Sequence, residues 1–229
     1  MISVVTATWN SYDWLNLLVE SLAWYSSIKV HIIVVDNSDK PETFRRPNVE
    51  VQVVGHNAGH GVSLNIGAAR ALRVFDDPYL MFLDVDCHIL AHNWHDPFLK
   101  LMEKYDFVAG RGVPIKPIRA ACIFMKRELG GHDWRASEGY EGHEVTPWGT
   151  DVAIAAYQEI QAKHPTHLID SIPNRYGTLN GEEWCIDGKP LIYHHWHGTT
   201  LPVRTADYPG ADLQADKEKL FASIPGKTL

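Results

Sequence analysis

Two kinds of hydrophobic pattern alternate along the first half of the chain, and together they predict strands and helices in turn. Short runs rich in β-branched residues, such as ISVVTA at 2–7, are typical of buried strands. Longer segments repeat apolar residues every three or four positions, as Trp14, Leu17, Leu18 and Leu22 do. That spacing places them on one face of a helix, for which Ser11 is a plausible N-cap.

Applied to the whole chain, these patterns predict an α/β protein. The predicted strands are 2–7, 29–38, 49–55, 79–86, 106–110, 120–129 and 190–198, and the predicted helices are 11–27, 61–75, 93–105, 150–164 and 212–224. The alternation before residue 110 predicts a mostly parallel central sheet with helices on both faces. No linker is evident, so we predict a single domain over residues 1–229, with a long Gly-rich loop at 130–149.

Polar residues follow three of the predicted strands, and they indicate where a site is expected. Thr8, Asp36 and the pair Asp84 and Asp86 come directly after apolar runs. In open α/β sheets ligands bind beyond the carboxyl ends of the strands. We therefore expect these side chains to share one edge of the sheet.

Asp84 and Asp86 end the apolar run YLMFLDVD, and we interpret them as ligands of a cation. Residues i and i+2 of a strand point to the same side, about 6.5 Å apart. Carboxylate oxygens suit Mg²⁺ or Mn²⁺, which bind through few protein ligands plus substrate phosphates. The alternative interpretation is a solvated turn.

The segment NAGHGVSLNIGAA at 57–69 combines glycines with a predicted helix start. Glycines permit close backbone approach, and a helix N-terminus favours phosphate. The segment is neither a GK[ST] phosphate loop nor a G-x-G-x-x-G fingerprint. The alternative is a capped helix packed tightly on the sheet.

Charge, cysteine content and the lengths of the apolar runs narrow the range of possible functions and locations. The net charge of −7 disfavours a protein that coats nucleic acid. Three cysteines, far apart and without CxxC spacing, indicate reduced thiols. The N-terminus enters a strand at once, and no apolar run approaches the roughly 20 residues of a membrane span. We expect a cytoplasmic protein without a membrane span, and the oligomeric state stays open.

Four segments in order resemble the family 2 glycosyltransferases, which have the GT-A fold. They are VVTATWNSYDWL, IIVVDNSD, NAGHGVSLNIGA and YLMFLDVD. The resemblance covers residues 2 to about 90 well and the remainder loosely. It implies an inverting, metal-dependent enzyme that moves a sugar from a nucleotide-diphospho-sugar to an acceptor hydroxyl, on a glycan or another molecule. Residues 1–110 would bind the donor, and 111–229 would bind the acceptor and carry catalysis.

The resemblance also implies roles for individual residues. The donor nucleotide would be bound by Ala7, Trp9, Asp36, His60, Asn65 and Asp84. Among these, Trp9 would stack on the base, Asp36 would hydrogen-bond the base or ribose, and Asp84 would hold the ribose side. Asp86 would bind the Mn²⁺ or Mg²⁺ that bridges the diphosphate.

A catalytic base is needed because the acceptor hydroxyl is a poor nucleophile near neutral pH. Our candidate is Asp151, at a position where relatives often carry Glu-Asp, although Thr150 replaces the first of these residues. An N-terminal helix charge is the alternative role. Asp133, Glu141 and Glu144 are the reserve candidates.

The histidines of YHHWHG offer a further metal ligand, as several GT-A enzymes use a histidine near the C-terminus. In an extended segment His195 and His197 share one side and His194 faces the other. We expect His197 to be the ligand. His88, His92 and His95 have helical spacing, but a mixed turn with surface histidines fits that segment better than a zinc site.

Aromatic residues in the Gly-rich loop, Trp134, Tyr140 and Trp148, are interpreted either as an acceptor platform or lid or as ordinary packing. The Q-x-x-R-W signature of processive synthases is absent, so single additions are expected. Three other functions remain open. They are a non-catalytic nucleotide- or glycan-binding module, a sugar nucleotidyltransferase and a zinc protein.

Overall fold

The described part of the chain forms one sheet with helices on both faces. The computed structural model describes residues 1–113, 116–135, 152–175, 181–195, 218 and 220–222. Within these residues the strands are β1 (Ile2–Thr8), β2 (Val30–Asp36), β3 (Val49–Val53), β4 (Tyr79–Leu83), β5 (Cys87–Ile89), β6 (Phe107–Val113), β7 (Lys116–Lys126), β8 (Thr166–Pro173), β9 (Glu182–Ile186) and β10 (Lys189–His194). The helices are α1 (Tyr12–Tyr25), α2 (His60–Val74), α3 (His95–Leu101) and α4 (Ile154–Gln161), and a 3₁₀ helix spans Arg127–Gly131.

The ten strands lie in the order β3-β2-β1-β4-β7-β6-β8-β9-β10-β5. The first four are mutually parallel, as the strand–helix alternation predicts. β7 runs antiparallel between β4 and β6, and β9 and β5 are also antiparallel to their neighbours. The sheet is therefore mostly but not purely parallel, which confirms the predicted α/β class.

The elements that sequence reasoning missed are short or polar. β5 has only three residues, β8 is mostly exposed, and β9 opens with Glu182 and Glu183. None of these strands shows a buried apolar run or a clear alternation. Of the predicted C-terminal helix the structure describes only Glu218 and 220–222, which are helical.

Helices cover both faces because successive strand residues point to opposite sides. On β1, Val4 belongs to the core under α1 and α3, where Trp14 packs, whereas Val5 belongs to the core under α2 and α4, where Leu64 packs. All four side chains are almost fully buried. This two-sided burial fixes the register of the central strands and, with it, the positions of the residues that follow them.

Gly67 lets helix α2 lie directly on the sheet. A Cβ atom at this position would lie only 2.2 Å from Cγ1 of Val5 and 3.2 Å from Cγ2 of Val35. A larger residue would therefore lift the helix from β1 and β2. Close packing places His60, the first residue of α2, at the carboxyl ends of these strands.

The structure also bears on the predictions about membrane spans and cysteines. Among the described helices, none is long and apolar enough to cross a bilayer. Cys87, Cys122 and Cys185 are free thiols, and the first two are buried.

Candidate functional site

The carboxyl ends of β1, β2 and β4 lie side by side and form the floor of the site. Thr8 pairs with Asp36 across β1 and β2, and the backbone N–H of Asn37 donates to the carbonyl of Thr8 at 2.8 Å. β4 flanks β1 on the other side. The polar residues that follow these strands therefore share one edge of the sheet, as the sequence indicates.

A tight turn carries Asp84 and Asp86. The expectation that both lie on a strand is wrong, because β4 ends at Leu83 and the N–H of Cys87 donates to the carbonyl of Asp84 at 3.0 Å. Two bonds fix this turn in place. Asp84 N–H donates to the carbonyl of Ala121 on β7 at 3.1 Å, and His195 N–H donates to the carbonyl of Asp86 at 3.0 Å.

Both carboxylates nevertheless face the same group, the imidazole of His194. Its Nε2 lies 3.6 Å from Oδ1 of Asp86 and 3.9 Å from Oδ2 of Asp84. His60 approaches from α2, with Nε2 at 3.0 Å from Oδ1 of Asp84. We call Asp84, Asp86, His60 and His194 the acid–histidine cluster. Of its members Asp86 is buried, and Asp84 keeps about a quarter of its side chain, 27%, exposed.

The acids and histidines of the cluster stabilise one another's charged forms. Burial raises the pKa of Asp84, but the charge and hydrogen bond of His60 and the charge of His194 outweigh it, so the pKa lies below its ordinary value. Burial lowers the pKa of His194, but Glu182, Asp86 and Asp84 together raise it above its ordinary value. The cluster is thus an acidic centre that favours a positive charge.

The structure brings in two residues that sequence reasoning missed, His194 and Glu182. Alternation along YHHWHG puts His194 opposite His195 and His197, but it does not say which side meets the aspartates. That side is decided by the pairing of His194 with Cys87 on β5, directly after the aspartate turn. Glu182 pairs with His194 from β9, and no sequence signal indicates its presence.

His195 occupies the opposite face of β10 and belongs to the core. Its ring is fully buried and stacks on Trp14 with 5.0 Å between ring centroids, and the hydroxyl of Tyr193 lies 2.8 Å from its Nδ1. His195 therefore positions the end of β10 rather than facing the cluster.

Cys87 is close enough to the cluster to be considered as a metal ligand. Asp86, Cys87 and His194 each offer a ligand atom, and these atoms lie within 4.8 Å of one another. Burial and the nearby carboxylates of Asp86 and Asp84 raise the pKa of the Cys87 thiol well above its ordinary value. Since only a thiolate ligates metal well, Asp86 and His194 are the better ligands of this group, and Asp84 lies beside them, 3.9 Å from Nε2 of His194.

The predicted base-binding residues lie at the ends of β1 and β2. Ala7 and Trp9 are half-buried, and Asp36 is buried. Both oxygens of Asp36 already accept hydrogen bonds, from the hydroxyl of Tyr12 at 2.6 Å and the backbone N–H of Ser38 at 2.9 Å. Asp36 thus fixes the loop after β2, and a nucleotide would have to share its oxygens with these donors.

Asn65 ties α2 to the segment that follows the 3₁₀ helix. Its side-chain amide donates to Oδ1 of Asp133 at 2.7 Å, and its oxygen accepts from the backbone N–H of Trp134 at 2.8 Å. Asp133 also forms a two-pronged ion pair with Arg135, and these bonds hold its pKa well below the usual range. Asp133 is therefore a weak candidate for a general base.

Trp134 is a core residue and not part of an acceptor platform. It is fully buried, packs edge-on against Phe82 with 4.9 Å between centroids, and donates through Nε1 to the carbonyl of Gly130 at 3.2 Å. The alternative interpretation as ordinary packing therefore holds for this residue.

The histidines of the 88–95 segment do not converge on one point. His88 lies on β5 against Tyr193, His92 packs on Tyr25, and His95 contacts Ser27 through Nε2. Within the described ranges, the one group of three or more potential ligands is the group that contains His194. A zinc site in this segment finds no support.

Several predicted residues lie outside the described residues. They are Tyr140, Glu141, Glu144, Trp148, Thr150, Asp151 and His197. Their roles stay predictions.

Several solved structures resemble part of the chain. TarS 1–349 of S. aureus is 19% identical over 56% of this chain and 47% of that chain, with a TM-score of 0.41. The same protein in complex with UDP-GlcNAc gives 0.42, at 19% identity over 56% and 46% of the two chains. The mannosyltransferase PcManGT of Pyrobaculum calidifontis, in complex with GDP-Man and Mn²⁺, is 13% identical over 73% and 54%, with a TM-score of 0.48. The matches thus span about half the length of these solved chains.

Sequence comparison gives the family. No curated protein matches the chain. The family model described as Glycosyl transferase family 2 matches residues 3–157, which is more than half of the chain and includes the strand ends, the α2 entry and the aspartate turn. The chain therefore belongs to family 2 of the glycosyl transferases.

Proposed function

We propose that the protein is an inverting, metal-dependent glycosyltransferase that moves one sugar at a time from a nucleotide-diphospho-sugar to an acceptor hydroxyl. The observation that carries this proposal is the convergence of Asp84, Asp86 and His194 at the carboxyl ends of the strands, beside the start of α2. In a sheet of this class, that edge is where a phosphorylated ligand binds.

The donor atoms of the cluster fit a divalent cation. Two carboxylates approach one imidazole nitrogen, and two close negative charges call for a positive partner. Asp86 and His194 would hold the ion, with Asp84 beside them, and a carboxylate–imidazole set suits Mn²⁺ or Mg²⁺ completed by water and phosphate oxygens. His197 stays a further predicted ligand. When bound, the ion supplies positive charge that stabilises the departing diphosphate.

The remaining residues of this edge would orient the donor. Trp9 offers an aromatic face after β1, and Ala7 leaves space beside it. Helix α2 starts after Gly59, which has a positive φ of 84° and provides no side-chain cap, and the N-terminus of a helix favours phosphate. His60, bonded to Asp84, adds a donor that can carry positive charge close to that helix end.

Transfer itself needs an acceptor hydroxyl and a base. The hydroxyl oxygen forms a bond to the anomeric carbon as the bond from that carbon to the diphosphate oxygen breaks, so the configuration inverts. The hydroxyl proton passes to a carboxylate, for which we propose Asp151. The free thiols favour a reducing compartment, and we propose the cytoplasm as the location.

Calorimetry with a panel of UDP-, GDP- and dTDP-sugars tests the proposal. We expect one donor class to bind in the presence of Mn²⁺ and to bind much more weakly after chelation. Asp86→Ala should abolish the metal-dependent part of the affinity, whereas Asp76→Ala, an exposed aspartate at the other end of β4, should not change it. Absence of nucleotide binding to the wild-type protein with Mn²⁺ present would contradict the proposal.

A further inference from the structure

An arginine lies beside the acid–histidine cluster, on the side that faces away from β1 and β2. β7 runs antiparallel to β4, and Cys122 pairs with Leu83, the last residue of β4. The residues that precede Cys122 on β7 therefore continue past the end of β4, along the edge of the sheet that carries the aspartate turn. Arg119 is one of these residues, and β4 lies between its strand and β1.

Glu182 connects Arg119 with the cluster. Its Oε1 lies 3.9 Å from Nε of Arg119 and 3.6 Å from Nδ1 of His194. Glu182 and His194 are direct partners across the antiparallel pair β9 and β10, so their side chains lie on the same face of the sheet. The guanidinium and the imidazole thus flank one carboxylate oxygen, and Arg119 is separated from a proposed metal ligand by a single side chain.

The guanidinium of Arg119 keeps donors that Glu182 does not engage. Their separation of 3.9 Å is longer than a hydrogen bond, and in the part of the chain that the structure describes this contact is the one ion pair of Arg119. Its Nε has no hydrogen-bond partner among these residues, while 31% of the side chain stays exposed.

The next residue of β9 shows how a closed pair differs. Nε and Nη2 of Arg175 donate to the two oxygens of Glu183 at 2.9 Å and 3.0 Å, so both ends of that carboxylate are held. Arg119 does not grip Glu182 in this way. Its planar fork of N–H groups is therefore open to a second anion at the edge of the site.

We propose that Arg119 is a specificity-determining residue that binds an anionic group, a carboxylate or a phosphate, on the substrate beyond the diphosphate. The fork of a guanidinium matches both of these groups. The inference rests on the proposed function, in which the nucleotide lies over β1 and β2 and the diphosphate lies at the aspartate turn. The transferred sugar and the acceptor then continue toward β7, and one of them carries the anion.

The first arm of the test asks whether the transferred sugar carries the anion. Calorimetry with Mn²⁺ compares donors that differ in one carboxylate, UDP-glucuronate with UDP-glucose and GDP-mannuronate with GDP-mannose. If the sugar is the source, we expect the wild type to bind the uronate about 10- to 100-fold more tightly, as hydrogen bonds to charged groups provide.

The second arm asks the same of the acceptor. The ¹⁵N-labelled protein is saturated with UDP or GDP and Mg²⁺, which fills the diphosphate position, and is titrated with small probes by NMR. Methyl glucuronide is compared with methyl glucoside, and glycerol 3-phosphate with glycerol. A preference of about 10- to 100-fold for the anionic probe in this arm alone assigns the anion to the acceptor.

Substitutions connect the preference with Arg119. We expect Arg119→Gln to remove it, and Arg119→Lys, which keeps a positive charge opposite Glu182 but lacks the fork, to retain only a small part of it. Arg111→Gln is the matched control, because Arg111 on the adjacent strand β6 is exposed and already paired with Asp170, so we expect the wild-type preference. If the glutamine variant does not fold, the lysine variant decides.

The outcomes separate the two proposals. A wild type that binds a nucleotide but shows no anion preference in either arm overturns the role of Arg119 and leaves the proposed function intact, as does a preference that is undiminished in the Arg119 variants. A wild type that binds no nucleotide with Mn²⁺ overturns the proposed function. The probes of the second arm, titrated without nucleotide, then still decide whether Arg119 binds an anion.

Discussion

Single side chains give the acid–histidine cluster its chemistry. Asp84 stays ionised because His60 and His194 outweigh its burial, while Cys87 stays protonated because burial and the same acids oppose a thiolate. Carboxylates and an imidazole therefore face one another at this edge of the sheet, and a neutral thiol lies beside them. A hard divalent ion is the partner that these oxygen and nitrogen ligands favour.

The proposed catalytic base, Asp151, can also be tested at the level of a single residue. We expect Asp151→Asn to bind the donor as the wild type does and to lose about 10²- to 10⁴-fold in turnover, because the amide cannot accept the hydroxyl proton. Transfer assays with saturating donor, combined with calorimetry, measure the two quantities separately. Asp133→Asn serves as a control, since the carboxylate of Asp133 is already engaged by Arg135 and Asn65. An active Asp151→Asn enzyme would rule out the assignment.

Contacts between strands hold the acid–histidine cluster in position. β6 supports β9 through the contact of Gly110 with Trp184, and Trp184 supports the ring of His194 on β10. Each of these contacts joins different strands, so a small shift in one strand reaches the site.

A substitution at Gly110 tests this support. We expect Gly110→Ala to cost about 1–3 kcal/mol in the free energy of unfolding, because its Cβ would overlap the buried indole, and to weaken Mn²⁺ binding by displacing His194. Urea unfolding and metal titration measure the two effects. The control is Gly131→Ala, where a new Cβ would meet no atom within 4 Å in the described part of the chain, apart from its chain neighbours. Unchanged stability and metal affinity in Gly110→Ala would contradict the described packing.

A junction of polar contacts joins β6, β7 and β8 at the end of the sheet opposite the acid–histidine cluster. The carboxylate of Asp106 accepts from Lys126 at 2.5 Å and lies 3.0 Å from Nδ1 of His164, and the backbone N–H of Asp106 donates to the carbonyl of Pro165 at 2.9 Å. The bonds from Lys126 and His164 lower the pKa of Asp106 below its ordinary value of 3.8.

This junction predicts a pH dependence. Because the pKa of Asp106 is lowered on folding, its contribution is complete above the ordinary value and is lost as the pH falls through the lowered value. The difference in free energy of unfolding between the wild type and Asp106→Asn should therefore be largest near neutral pH and shrink below about pH 4. Urea unfolding between pH 7 and pH 3 measures it. Asp170→Asn, which removes an exposed ion pair to Arg111, is the control and should change little. A difference that grows as the pH falls would contradict the described contacts.

In the molecule as a whole, the candidate site and the contacts that anchor the strands lie at opposite ends of the sheet. The acid–histidine cluster lies at the carboxyl ends of β1, β2 and β4, whereas a buried polar group holds their amino ends. There Oδ2 of Asp77 accepts from the hydroxyl of Ser3 at 2.7 Å and lies 2.7 Å from Nδ1 of His31, which stacks on Phe75. These contacts are far along the strands from the site, so the two ends should respond separately to substitution.

We expect Asp77→Asn to lower the free energy of unfolding by about 2 kcal/mol, because it weakens two bonds to a buried carboxylate, and to leave donor and Mn²⁺ affinity at the wild-type level. Chemical denaturation and calorimetry provide the measurements. Asp76→Asn, one residue earlier and exposed, controls for the loss of charge. A large loss of metal affinity in folded Asp77→Asn would show that the two ends are coupled.

The sequence alone determined the part of the fold that depends on local patterns. Burial on both faces gives the central strands continuous apolar runs, and the same runs end where polar residues begin. This pattern places Thr8, Asp36 and Asp84 at one edge of the sheet. The turn that Asp84 opens belongs to the same edge.

Only the tertiary structure decided which residues complete the site. His194 and Glu182 come from strands more than 90 positions away in the sequence, and they meet the aspartates through the pairing of β10 with β5 and β9. Alternation states that neighbouring histidines face opposite sides, but it cannot state which side meets the acids, since that depends on contacts between distant strands. The sequence thus determined the edge of the sheet at which the chemistry is expected, and long-range pairing chose the histidine that faces it.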